Sequence, residues 1–184
     1  MKCGVIVTGV PASGKTTIAR ELAENLGFAC LDKDDFLEDL YDQFGVQSWE
    51  DRTRLSRQSD RAFHEAAIRS GSAVLVSHWR APNNIDESGS SSDWLAQEYE
   101  RLIEVSCKCA PNIALRRFMS RARHPGHLDG QADPKVLEQR MTSWAGRFPL
   151  GIGVLFEVNT QSAVDTIALG RDIRAALSAK KLAL

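Results

Sequence analysis

The sequence predicts an α/β fold built on a doubly wound parallel sheet, and three observations lead there. Five short apolar, β-branched runs alternate with stretches of helical periodicity, in the order β-α-β-α-α-β-α-β-α-α-β-α. Such an order winds into a parallel sheet through right-handed crossovers. Between the first run and the first helical stretch lies Gly9-Val10-Pro11-Ala12-Ser13-Gly14-Lys15-Thr16, which satisfies the pattern G-x-x-x-x-G-K-[ST] in full.

The first strand is Cys3-Gly4-Val5-Ile6-Val7-Thr8. In the loop after it, glycines let the backbone curl toward a polyphosphate, and the amides from Ala12 to Lys15 point inward with the helix N-terminus behind them. Gly9, Pro11, Ala12, Ser13, Gly14, Lys15, Thr16 and Thr17 are therefore expected to cradle nucleotide phosphates. Lys15 would reach the β- and γ-phosphates, and the Thr16 hydroxyl would ligate Mg²⁺. From Thr16 to Leu26, Ile18, Ala19, Leu22, Ala23 and Leu26 make one apolar face, which Gly27 terminates.

A second strand, Phe28 to Leu31, delivers Asp32-Lys33-Asp34-Asp35 at its C-terminal end, where open parallel sheets place ligands. Asp35 reads as the N-cap of a helix running to Phe44 and closed by Gly45, and Ser48 caps a longer helix whose arginines read mostly as a solvated face. Ser72 to Val76 is the third strand, followed by Ser77-His78-Trp79-Arg80 and a Ser/Asn/Gly-rich loop to Ser92. Asp93 to Glu100 is a short helix and Leu102 to Cys109 the fourth strand. Pro111 opens a helix bearing Arg116, Arg117, Arg121 and Arg123, which runs into the breaker His124-Pro125-Gly126-His127. Asp133-Pro134 restarts a helix with Leu137, Met141 and Trp144 on one face, Gly153 to Val158 is the fifth strand, and a last helix spans about Ser162 to Ala179.

At 184 residues the chain suits one domain, taken here as 1–184, with a core that needs no metal or disulfide staple. A net charge of −1 gives no whole-chain attraction to nucleic acid or to an anionic membrane, although a local basic patch is compatible with it. Cys3, Cys30, Cys107 and Cys109 form no C-x-x-C pair and read as buried free thiols of a reducing cytoplasm. No signal-peptide layout or bilayer-length apolar run is present, so a soluble cytoplasmic protein is expected. Nothing in the sequence specifies the oligomeric state.

GVPASGKTT at Gly9 to Thr17, LDKDDF at Leu31 to Phe36, SHWR at Ser77 to Arg80 and RFMSRARHPGH from Arg117 to His127 together resemble the P-loop kinase-like AAA_33 group. That group is related to chloramphenicol phosphotransferase, zeta toxin, gluconate kinase and polynucleotide kinase. The resemblance implies a P-loop NTPase fold with a five-stranded parallel sheet sandwiched by helices and a short arginine-bearing lid, about 117–132. It also implies an ATP- and Mg²⁺-dependent transfer of the γ-phosphoryl group to a hydroxyl of a nucleoside, sugar or antibiotic-like molecule. Asp34 matches the carboxylate that accepts the hydroxyl proton, and Asp32 a supporting, Mg²⁺-side residue. Arg117 corresponds to the arginine on adenine and Arg121 to the one on the transferring phosphate, with Arg123 its alternate. Asn159 and Thr160 fall where relatives line the adenine pocket.

One position departs from the pattern. Relatives commonly end the third strand in an acidic residue, where this chain has Val76, followed by Ser77 and His78. His78, Trp79 and Arg80 are then expected to face the acceptor, with core packing the competing expectation for Trp79. Two other functions stay open: a polynucleotide 5′-hydroxyl kinase, disfavoured by the charge balance and by Leu37, and a nucleotide-binding switch without phosphotransfer, favoured by Val76.

Overall fold

The computed structural model describes residues 1–84, 88–129 and 133–179. Its centre is β1 (Cys3–Thr8), every residue of which is buried. The other strands are β2 (Ala29–Asp32), β3 (Ala73–Val76), β4 (Arg101–Lys108) and β5 (Val154–Asn159), all parallel, in the order β2-β3-β1-β4-β5. The chain moves from β1 outward to β2 and β3 on one side, then crosses to β4 and β5 on the other. The C-terminal ends of the central strands therefore flank a switch point, where open α/β sheets bind ligands.

The helices are α1 (Lys15–Leu26), α2 (Lys33–Phe44), α3 (Trp49–Arg69), the single turn α4 (Leu95–Glu98), α5 (Pro111–Ser120), α6 (Pro134–Ala145) and α7 (Thr166–Ser178). Strand alternation sorts the core into two layers. Val5, Val7, Val74, Val76, Ile103 and Val105 pack with α1 and α7 through Ile18, Leu22 and Ile173. On the opposite face Ile6 and Leu75 meet Phe63 of α3 and Leu137 and Met141 of α6.

Glu104 points to this second face and is fully buried, yet it is satisfied. Its carboxylate accepts from Thr8 Oγ1 at 2.9 Å and from the backbone N–H groups of Leu150, Gly151 and Ile152 at 2.7, 2.9 and 3.1 Å. A buried charge is tolerated when hydrogen bonds replace its water, and here they also fix the turn that joins α6 to β5.

Most expected elements are present with ends shifted by a residue or two, and three boundaries change the chemistry. The N-cap of α2 is Asp32, not Asp35: its Oδ1 accepts from Asp34 N at 3.0 Å, so the helix starts earlier and carries Asp34 in its first turn. Asp35 instead lies on the surface, 3.6 Å from Arg20. Helix α5 ends at Ser120, because Arg121 is already extended at φ −85° and ψ 140°; Arg121 and Arg123 thus lie on a non-helical segment beyond the helix expected to bear them, and only Arg116 and Arg117 are helical. The last helix begins at Thr166 behind an Asp165 cap. Within the expected loop to Ser92 and the expected lid, residues 85–87 and 130–132 lie outside the described residues, as do residues 180–184 of the expected domain. Among the described residues no helix is long and apolar enough to cross a membrane.

Candidate active site

The loop after β1 closes tightly because its glycines permit it. Gly9 has φ 138°, and a Cβ there would meet Ser13 Oγ at 2.7 Å and Cys107 O at 2.8 Å. Gly14, at φ 91°, caps α1 in the left-handed region without any side-chain hydrogen bond to the first turn. The first-turn amides are left to serve an anion, assisted by the helix dipole. Lys15 Nζ donates to the carbonyls of Gly9 at 3.0 Å and Val10 at 2.9 Å, folding the side chain over its own loop. Burial draws its ammonium pKa below the ordinary lysine range, with Cys107, Asp34 and Asp32 acting in the opposite direction.

Beside the loop, Thr16 Oγ1 donates to Asp32 Oδ2 at 2.7 Å. Burial pushes the Asp32 carboxyl up, against the lowering effect of that hydrogen bond. A hydroxyl and a desolvated carboxylate side by side suit Mg²⁺, a hard cation that takes few protein oxygens and completes its shell with phosphate and water. The residues present therefore fit this ion.

Asp34 stands two residues on, its side chain 52% exposed at the cavity surface. Burial would raise its carboxyl pKa, but Arg123, His127, Lys15 and Lys33 outweigh it and hold the group below the usual carboxylate range. Its Oδ2 is 2.8 Å from Arg123 Nη2, and Arg123 Nη1 is 2.7 Å from Asp129 Oδ2. The segment after α5 is pinned further: His127 Nε2 lies 2.8 Å from Glu38, His124 Nε2 lies 3.0 Å from Asp42, and Arg52 Nε donates to His127 O at 3.0 Å.

A cavity of about 730 Å³ joins these groups. Pro11, Ala12, Gly14, Lys15, Thr16, Thr17, Asp32 and Asp34 line it, together with His78, Arg117, Arg121 and Arg123. Gly9 and Ser13 shape the loop from behind. Arg117 donates to Thr160 O at 2.9 Å, which explains why Thr160, only 7% exposed, sits behind the lining and not in it. Arg121 lies over the Phe118 ring at 5.2 Å, a cation–π contact.

The segment after β3 divides. His78 lines the cavity with both ring nitrogens buried and without a hydrogen-bond partner, and burial, with Lys15, Arg147 and Lys33 nearby, pulls its pKa down to about 3. Trp79 and Arg80, expected at the acceptor, are not in the lining. Trp79 is fully buried against Phe63 and Trp94, in the apolar layer that also holds Leu75, so core packing takes the indole that the acceptor was expected to meet.

Sequence reasoning missed a second wall. Trp49, Arg52, Ser56 and Asp60 of α3 line the cavity, as do Leu137, Arg140 and Trp144 of α6. Their spacings, i, i+3, i+7, i+11 and i, i+3, i+7, are single helix stripes, and that periodicity was the available signal. Lys33, buried in α2, pairs with Asp60 at 2.9 Å; Asp60 also accepts from Ser90 Oγ at 2.6 Å, and Ser90 meets Ser77 at 2.6 Å.

Comparison with known proteins agrees with this fold. A family model described as an AAA domain, AAA_33, matches residues 5–145. A solved structure from Chloroflexus aurantiacus, described as that of a candidate kinase, superposes with a TM-score of 0.76 at 26% identity over 96% of this chain and 99% of its own. Shikimate kinase from Bacteroides thetaiotaomicron superposes at 0.61 with 17% identity, covering 97% of this chain and 100% of its own. Shikimate kinase from Acinetobacter baumannii, in complex with shikimate, gives 0.59 and 19%, covering 100% and 96%. The latter two establish the fold. No curated protein matches the sequence.

Proposed function

This chain belongs to the AAA_33 family, and from that premise we propose that it is an ATP- and Mg²⁺-dependent kinase that phosphorylates a hydroxyl of a small molecule. The observation that carries the reading is one cavity lined both by the phosphate loop and by Asp34, with two arginines of the following segment beside them. We take 1–184 as one domain whose lid starts at Arg117.

In this mechanism the loop amides and Lys15, released from the Gly9 and Val10 carbonyls, hold the β- and γ-phosphates. Thr16 and Asp32 hold Mg²⁺, which neutralises charge on the phosphate oxygens when bound. Arg117, fixed on Thr160, borders the nucleotide. Asp34 takes the proton as the acceptor oxygen bonds to the γ-phosphorus and the bond from that phosphorus to the bridging oxygen of ADP breaks. Held below the usual carboxylate range, Asp34 is ionised at neutral pH. Arg123 leaves Asp34 to join Arg121 on the transferring group. His78 stays neutral and borders the substrate.

ATP consumption with and without a panel of hydroxyl acceptors tests the reading. Acceptor-dependent release of ADP supports it. Tight nucleotide binding with no acceptor-dependent turnover supports the switch instead, which Val76 at the end of β3 favours.

A further inference from the structure

The structure points beyond a generic hydroxyl compound: we propose that the acceptor bears an anionic group, a carboxylate or a phosphate ester, gripped between Arg52 of α3 and Arg140 of α6. This inference rests on the kinase reading and adds the chemistry of the acceptor to it.

The argument follows the cations of the cavity wall and what each already holds. Lys33 is neutralised by Asp60 at 2.9 Å, and Arg123 by Asp34 and Asp129 at 2.8 and 2.7 Å. Lys15, Arg117 and Arg121 belong to the phosphate loop and the segment beside it, where the nucleotide supplies the counter-charge. Arg52 and Arg140 remain. Both line the cavity, and among the described residues neither is paired with a carboxylate, the bond of Arg52 going to a backbone carbonyl.

Arg52 is also oriented in advance. Its Nε is spent on His127 O at 3.0 Å and its Cζ lies 5.2 Å from the Trp49 ring, which leaves the two terminal nitrogens free to form a fork. A planar guanidinium whose two terminal nitrogens are free suits a carboxylate or phosphate better than it suits water, and stacking on an aromatic ring lowers the entropy lost on binding. Arg140, exposed on α6, lines the same cavity from a helix stripe between Leu137 and Trp144. The bland alternative is two solvated surface arginines. It accounts poorly for Arg52, which is partly buried and pinned by a backbone carbonyl from the segment that also carries Arg123. A polyanion such as nucleic acid is a weaker fit, because the whole chain carries a net charge of −1.

The test loads the full chain with Mg²⁺ and a non-hydrolysable ATP analogue, so that the loop and its cations are occupied. The complex is then titrated by calorimetry with three matched probes: glucose, gluconate and glucose 6-phosphate. Binding of gluconate or glucose 6-phosphate, with glucose much weaker, is expected, and the better of the two identifies the anion as carboxylate or phosphate. Arg52→Ala and Arg140→Ala should each weaken the anionic probe by roughly tenfold or more, the range for a lost charge-assisted hydrogen bond, while analogue affinity stays unchanged. Retained analogue binding also certifies that a variant is folded, and Arg140→Ala alone suffices if Arg52→Ala is not. Glucose binding as well as the anions, no binding by either anion, or loss of analogue affinity in Arg140→Ala overturns this inference. Failure of the wild-type chain to bind the analogue at all overturns the kinase reading instead.

Discussion

Replacing Lys15 with alanine separates the chemistry of the phosphate loop from its architecture. The ammonium makes two hydrogen bonds, to Gly9 O and Val10 O at 3.0 and 2.9 Å. Hydrogen bonds from a charged donor contribute about 1.5–3 kcal/mol each, and removing a desolvated cation returns a comparable amount. The two effects offset, so folding stability should change by less than about 1 kcal/mol. Catalysis should respond differently, because the ammonium is the fixed positive charge aimed at the β- and γ-phosphates. Loss of one such preorganised donor costs about 10²- to 10³-fold in kcat, or about 2.7–4 kcal/mol. Urea denaturation and acceptor-dependent ADP release, measured on the same preparation, supply the two numbers. A variant that turns over ATP at the wild-type rate, or that loses several kcal/mol of stability, would refute the role given to this lysine.

Other substitutions probe the remaining parts. Arg121→Ala should lower kcat more than it raises KM for ATP if its guanidinium acts on the transferring group, and a change confined to KM would make it a ground-state contact. Because His78 has a folded pKa of about 3 against about 6.5 when unfolded, the unfolded chain binds more protons between those values. Its contribution therefore destabilises the fold progressively as pH falls from about 6.5 toward 3, and His78→Gln should show a shallower acid loss of stability. An imidazole resonance of His78 titrating near 6.5 in the folded protein would contradict this. Glu104→Ala strands three backbone N–H groups and the Thr8 hydroxyl in the core, so a loss of about 3–5 kcal/mol is expected by denaturant titration, with Glu104→Gln milder.

What the sequence made legible was local. The phosphate loop, the strand periodicities, the Ser48 cap and Pro111 at a helix start are each decided within a few residues, and each stands where the pattern put it. Asp32 and Asp34 were recognisable beside the loop, although the capping role fell to Asp32, because an Asp-Lys-Asp-Asp run offers three caps and only tertiary packing chooses. Long-range pairing was not legible. Glu104 reads as a polar interruption in a strand until the turn 46 residues away is brought against it. The Arg123–Asp34 contact spans 89 residues, and Lys33–Asp60 joins two helices whose relative rotation no periodicity specifies. Trp79 shows the same limit: three residues past the expected end of a strand, its direction depends on how far extended geometry persists.

The central claim is that Asp34 receives a proton from the acceptor and does not merely organise the start of α2. Asp34→Asn tests it most directly, because the amide keeps the size of the carboxylate and much of its hydrogen bonding but cannot accept the proton. Nucleotide affinity and single-turnover phosphoryl transfer should be measured together, with Mg²⁺ held saturating. The account predicts affinity close to wild type and transfer reduced by roughly 10²-fold or more. Transfer at the wild-type rate would contradict it and leave the nucleotide switch as the better description, whereas loss of Mg²⁺-dependent nucleotide binding would move Asp34 to the metal and the proton to Asp32.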